Sequence, residues 1–367
     1  MLANVFMKTT RDCWKGMAIG AVTVGALLFL GMSVYREIDL ALYTSLPEVF
    51  RTLLDIPQDA DIASLAYGAI YGSYGTLTLA ALALSMGSGS IAGEERKGTI
   101  GLLLGNPKSR TSVLVSKAAA LVFLTGIGAL LLWGAGIVAP AVLDVSIVGM
   151  HLGAFLFHMF AISLFFGFLS MAIGAWTGNP GVASGATAGI MFISFVGSGL
   201  FPVLEGWESV AKAFPWYYFN GSSPVTNGVD WGHIAILVVG IALFAVAALV
   251  GVNRRDLTSQ AVAVTLLDRL RGNPMTHKVA DRLAGSARVS KIWVKTASEH
   301  QGLLFVTAAL MFFVMGVMIG PMYGLFDDAL AEYMDELPEV LLALFGGGDM
   351  STPEGWYQAE TFGIVAP

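Results

Sequence analysis

Charge is what the sequence has least of: Asp, Glu, Lys and Arg make up 13% of its 367 residues. A soluble domain carries about 25%, so this chain cannot cover itself with polar surface. Cysteine is nearly absent as well. The single Cys13 excludes an internal disulfide framework and a cysteine-built metal site, and it reads as a small apolar residue. No stretch matches GxxxxGK[ST]. The nearest, from Gly93 to Thr99 (GEERKGT), follows its second glycine with Thr99 and Ile100 rather than Lys, and its two carboxylates would repel phosphate. ATP hydrolysis by that route is excluded. Apart from Lys117, near the start of the third apolar run, no long apolar run carries an obvious charge. Ionisable residues inside a bilayer are expensive and mark ion or proton relays, so their absence argues against an ion-coupled pump.

Apolar runs fill the space that charge leaves. Hydrophobic residues make up 56% of the chain, and the mean hydropathy is +0.72. Several runs reach the roughly 20 apolar residues needed to cross a bilayer as a helix. They are too long and too uniformly apolar for the alternating strands of an outer-membrane barrel. The sequence therefore predicts an all-α integral membrane protein. Six spans are expected at 17–34, 63–88, 112–139, 152–177, 181–202 and 233–252, then a polar stretch at 253–300 and a seventh span at 303–322. The first apolar run is long and lacks a small-residue cleavage site, so it reads as a retained helix.

The charges that remain are unevenly placed. Seventeen of the 20 Lys and Arg fall before the first span, around the loop between the second and third, or between Arg254 and Lys295; only Arg36, Arg51 and Lys212 fall on the other side. By the positive-inside rule the N-terminus and the 91–110 loop are cytoplasmic. The opposite side is acidic, with Glu37, Asp39, Glu48, Asp55, Asp59 and Asp61 after the first span and Asp327, Asp328, Glu332, Asp335, Glu336 and Glu339 after the seventh.

That parallel extends into an internal repeat. Lys8-Thr9 aligns with Lys295-Thr296, Asp12 with Glu299, and Tyr35 with Tyr323. Leu46-Pro47-Glu48-Val49 aligns with Leu337-Pro338-Glu339-Val340. The first copy holds six spans, whereas the second ends at Pro367 near where its second span would start. A two-half protein shortened in its second half is the expectation.

The stretch 91–110 (IAGEERKGTIGLLLGNPKSR) is the densest polar knot in the chain. An intramembrane metalloprotease reading fails on it. Glu94-Glu95 supplies the required glutamate pair, but Thr99 stands where that signature needs arginine. His151 and His158 lie two helical turns apart toward the opposite membrane side and read as satisfied or snorkelling histidines. The remaining reading is a short amphipathic helix with carboxylates in its first turn, where the helix dipole favours them, then a proline turn and the start of the next span. In it, Glu94 to Lys97 face water or a partner.

This stretch resembles the cytoplasmic signature of ABC-2 type transporter permeases: an acidic pair, a basic residue, Gly-Thr, an aliphatic run, a proline and Ser-Arg. The resemblance covers residues 1–256 and includes a surface-lying N-terminal segment. It also includes the aromatic outer hairpin, 201–232, with Phe201-Pro202, Trp207 and Phe214-Pro215-Trp216-Tyr217. It implies a six-helix bundle of the type V exporter kind followed by the start of a second repeat. Residues 1–256 would be the first permease half, 257–300 a cytoplasmic linker, and 301–367 the truncated start of the second half. It further implies that 91–110 is a coupling helix docking into a separate ATPase subunit, present in two copies. Glu94, Glu95, Arg96, Lys97, Gly98, Thr99, Pro107 and Arg110 would carry that contact, with Gly98 setting the turn and Arg110 anchoring it. Phe201, Pro202, Trp207, Phe214, Pro215, Trp216 and Tyr217 would form an outer gate. ATP and Mg would bind the partner ATPase, and this chain would bind no cofactor and no metal. A second permease half or a second copy would complete the pathway for an apolar or amphipathic substrate, such as a drug, an antibiotic or a lipid-like compound. The chain would sit in a prokaryotic plasma membrane, bind no nucleic acid and not itself be an enzyme. A non-transporting scaffold or sensor that recruits a cytoplasmic regulator is the alternative, with an intramembrane protease a more remote one.

Overall fold

The structure is a computed structural model. It describes residues 4–37, 62–101, 105, 109–203 and 206–257, and beyond them only 272–274, 276–278, 281, 308, 312 and 352–357. The acidic segment 38–61, Pro107, most of the 257–300 linker and all but a few residues of the seventh span and of the second copy of the repeat lie outside the described residues. The chain divides into two units, Met1–Val264 and Thr265–Pro367. In the second, one short helix is described, Pro353–Tyr357.

Among the described residues of the first unit, helices and turns make up all the regular structure. Six helices are long and apolar enough to cross a membrane. These are α1 (Val5–Glu37), α2 (Ile62–Ser88), α4 (Arg110–Leu143), α5 (Leu152–Thr177), α6 (Pro180–Leu200) and α9 (Trp231–Arg254). Between them lie the short helices α3 (Ala92–Arg96), α7 (Tyr217–Asn220) and α8 (Pro224–Asn227). Five of the six expected spans match these limits to within a few residues. The first does not. Its 33 helical residues, about 50 Å at roughly 1.5 Å each, outrun the roughly 30 Å of hydrocarbon in a bilayer. The N-terminal segment expected to lie on the surface is helical and continuous with the span in α1.

Polar residues at the ends fix where the helices begin. The Ser109 hydroxyl accepts from the Ser112 N–H at 3.1 Å, and Asn179 Oδ1 from those of Gly181 and Val182 at 2.9 and 3.2 Å. Asp230 Oδ1 accepts from Gly232 and His233 at 2.9 and 3.1 Å. Each cap satisfies N–H groups that a helix start leaves without internal partners. Pro180, directly after Asn179, takes the first helical position, where its missing N–H costs nothing.

α5 is the central post, with α2, α9, α4 and α6 packed round it, and α1 pairs with α4. Two apolar cores result. One, toward the 201–232 hairpin, gathers Met17, Leu28, Tyr71, Phe155, Phe166, Trp216 and Phe219. The other, toward α3, gathers Val5, Ile91, Ile100, Leu121, Phe168, Met171 and Val252. The outside of the bundle is apolar too, with Ile19, Val22, Leu30, Leu130, Val142, Val239 and Leu243 all exposed. That surface suits lipid and would be costly in water.

Candidate functional site

The knot at 91–110 folds as a five-residue helix closed by a turn. Glu95 and Lys97 donate their N–H groups to the carbonyls of Ile91 and Gly93, and Thr99 donates back to that of Glu94 at 2.9 Å. Gly98 takes φ +70°, the left-handed region where glycine has no Cβ penalty. This agrees with its expected place at the turn.

The charges divide in two. Arg96, Lys97 and Gly98 are exposed, whereas Glu94 and Glu95 are buried. The expectation that all four charges face water or a partner is therefore corrected: the two carboxylates point into the bundle. Glu94 Oε1 receives Lys117 Nζ of α4 at 2.7 Å and lies 3.5 Å from Lys8 Nζ of α1. Its Oε2 accepts from the Thr99 hydroxyl. Glu95 Oε2 accepts from Arg255, just beyond α9, and Arg255 Nε donates to the Ala175 carbonyl near the end of α5 at 3.1 Å. Arg110, at the start of α4, donates to the carbonyls of Arg255 and Val252 at 2.8 and 3.3 Å. It covers the carbonyl end of α9, where a cation is favoured, and so serves as an anchor.

One glycine makes room for this lattice. Gly178 ends α5 at φ +65°, and a Cβ there would come within 2.1 Å of Arg255 Nη1 and 3.0 Å of Glu95 Oε2. The two carboxylates thus tie α3 to α1, α4, α5 and α9. Sequence reasoning missed Lys8, Lys117 and Arg255 as members of the site. Lys117 carried a signal: a charge inside a span needs a partner.

Burial alone would push the Glu94 carboxyl up. The hydrogen bonds from Lys117 and Thr99, with the charges of Lys117 and Lys8, outweigh it and hold the group below the ordinary glutamate range. A carboxyl with a depressed folded value stabilises the fold above its unfolded value, about 4.3, and loses that contribution as pH falls through the lower folded one. Thermal unfolding in detergent should therefore show a loss of stability below about pH 4. That loss should be smaller in the Glu94→Gln/Lys117→Met pair, which has no carboxylate to protonate there.

At the far end of the bundle the aromatic hairpin separates into an inner and an outer part. Trp216 is fully buried against Phe195, Phe166 and Phe219, with ring centroids at 5.1, 6.3 and 5.7 Å. Its backbone N–H donates to the Ser194 hydroxyl of α6 at 2.7 Å. Phe201 stacks on Phe214 at 5.6 Å and on Trp207 at 6.0 Å, with Trp207 largely exposed. Pro202 lies in the short helical turn after α6, Pro215 in the turn before Trp216, and Tyr217 opens α7 beside His233. Trp216 is therefore part of the core, while Phe201, Trp207 and Phe214 form a separate stack.

His158 is buried on α5. Its Nε2 accepts from the Asp230 N–H at 3.2 Å, so the ring proton sits on Nδ1 and faces the Tyr218 carbonyl at 3.3 Å. His151 is exposed and precedes α5. Neither histidine is brought to Glu94 or Glu95, whose partners include Lys8, Lys117, Thr99 and Arg255.

A family model described as "ABC-2 family transporter protein" matches residues 3–257. No curated protein and no solved structure matches the chain. The matched stretch takes in all six long helices, the buried-carboxylate lattice and the aromatic hairpin. Members of that family are transmembrane components that work with an ABC ATPase and are not themselves catalytic. With six membrane-length helices carrying the matched region, this multi-pass membrane protein belongs to the ABC-2 family of transporter proteins.

Proposed function

We propose that the chain is the permease of an ATP-driven exporter, and that the exposed tip at Arg96, Lys97 and Gly98 is where a separate ATPase subunit takes hold. The observation that carries the reading is the contrast within one short helix. Its solvent-facing side offers two cations, while its inner side is fastened by ion pairs and a hydrogen bond to four long helices. A force applied at the tip reaches α1 and α4 through Glu94, and α5 and α9 through Glu95 and Arg255. Glu94 and Glu95 act as the rigid base of the coupling segment, with Thr99 and Arg110 bracing it.

Two such ATPase subunits, with ATP and Mg bound to them, would drive this half and a second permease half or copy between inward and outward states. The motion must come from contacts that differ between those states. In this reading the α3 end and the N-terminus lie on the cytoplasmic side of a prokaryotic plasma membrane; the basic residues gathered at that end support the orientation. The cargo is apolar or amphipathic, because the described spans offer no unpaired charge at mid-depth to hold a small ion. Phe201, Trp207 and Phe214 serve as the outer lid.

The test is affinity capture from native membranes with wild type and the Arg96→Glu/Lys97→Glu variant. Wild type should bring down a soluble protein bearing a GxxxxGK[ST] phosphate loop. The variant should lose it with thermal stability unchanged, since exposed substitutions cost within about 0.5 kcal/mol. Equal recovery by both would remove the tip from the contact. No ATPase with either would favour a scaffold that recruits some other cytoplasmic partner.

A further inference from the structure

The helix α2 is not α-helical throughout. Residues Tyr67–Gly75 form a π-helix between the α-helical pieces Ile62–Ala66 and Thr76–Ser88. π-Helix occurs mostly as single-turn bulges, often at functional sites, and nine residues of it is long. Directly across, α4 contains Pro140 in its interior. A proline has no N–H, so the carbonyl four residues before it loses its helical partner. That carbonyl belongs to Gly136, and the Tyr67 hydroxyl donates to it at 2.6 Å. One step along, the Tyr71 hydroxyl donates to the Leu132 carbonyl at 2.7 Å. Both tyrosines are fully buried. Gly136 permits the approach, because a Cβ there would lie 3.3 Å from the Tyr71 ring and 2.9 Å from Leu152 Cδ2.

We propose that the π-helical stretch of α2 and the Pro140 turn of α4 form one articulated joint, with the Tyr67 hydroxyl as its pin. Two elements known to let helices bend, a π segment and an interior proline, lie side by side. Tyr67 supplies the hydrogen bond that the proline removes. The winding of α2 and the bend of α4 are thereby coupled, since rewinding α2 to α-helix would withdraw Tyr67 and strand a carbonyl in an apolar interior. The Leu132 carbonyl differs: the Gly136 N–H stands at the regular helical position for it, so Tyr71 adds a second bond where Tyr67 replaces a lost one. The helices so joined are the two that flank α3. The joint is a property of the fold and holds whether or not an ATPase drives the chain.

A double-mutant cycle tests the pin. Tyr67→Phe should lower the melting temperature of the purified full chain clearly. In a Pro140→Ala background, where residue 140 regains its N–H and can bond Gly136, the same substitution should cost less than half as much. Tyr71→Phe should cost the same in both backgrounds. Equal losses from Tyr67→Phe with and without Pro140, or no loss at all, would overturn the proposal. Should Pro140→Ala fail to accumulate, hydrogen exchange of Tyr67→Phe alone decides. Amides over 137–144 should exchange about tenfold faster, as expected when a buried acceptor loses its donor, and unchanged exchange there would overturn the joint.

Discussion

Arg255→Ala should damage the fold far more than Glu95→Ala, although the two residues form a single ion pair. The asymmetry follows from burial. The Glu95 side chain is 0% exposed and that of Arg255 is 24% exposed. Removing Glu95 leaves a guanidinium that can turn toward water and keep its bond to the Ala175 carbonyl. Removing Arg255 takes the cation away from a fully buried carboxylate. Breaking a buried pair from that side costs about 3–5 kcal/mol, whereas replacing both partners with apolar or neutral groups of similar volume is often close to neutral. Melting temperature and monodispersity in detergent should therefore rank wild type near Glu95→Gln/Arg255→Met, then Glu95→Ala, then Arg255→Ala well below. The double variant also separates structure from function. If the pair transmits motion from the tip to α9, it should fold and bind the ATPase yet fail to couple ATP turnover to transport. Equal damage from the two single variants would show that the carboxylate has another way to be satisfied.

The spans were legible because bilayer crossing imposes a length and an apolar composition that survive any detail of packing. The six long helices accordingly follow the hydropathy of the chain. The inward turn of Glu94 and Glu95 was not legible. Four consecutive charges between apolar runs look like a solvated loop, and the partners that draw two of them inside are remote: Lys117 lies 23 residues on and Arg255 lies 160 residues on. Burial of an acid depends on such tertiary partners, which local pattern does not report. The lone lysine in an otherwise uncharged run was the one available clue. The π-helix was illegible for a related reason. Nothing in YGAIYGSYG distinguishes it from an α-helical span until Pro140 is seen across from it. The continuity of the N-terminal segment with the first span follows from the lack of any proline or glycine between Val5 and Lys15 to break the helix.

Trp216→Ala should cost about 3–5 kcal/mol, the range for emptying a large aromatic site in a packed core, and Phe214→Ala much less. Trp216 is 1% exposed and touches three aromatic rings, so alanine would leave a void among side chains that cannot collapse into it. Trp216→Phe should be far milder, because the indole N–H has no hydrogen-bond partner among the described residues; a phenyl ring loses area but orphans nothing. Ser194→Ala tests the other half of the attachment, since it removes the acceptor of the Trp216 backbone N–H and should cost about 1–3 kcal/mol. The contrast bears on gating. A residue anchored in the core by a buried hydrogen bond and three rings cannot swing as a lid without breaking that core. Phe214 instead lies over Gly197, where a Cβ would meet its ring at 2.6 Å, and it joins Phe201 and Trp207 in a stack at the edge. The lid reading therefore requires Phe214→Ala and Trp207→Ala to change transport with the melting temperature nearly intact, while Trp216→Ala lowers both. Thermal unfolding beside vesicle transport assays would separate the two. Loss of transport from Trp216→Phe at unchanged stability would instead return the gate to the buried indole.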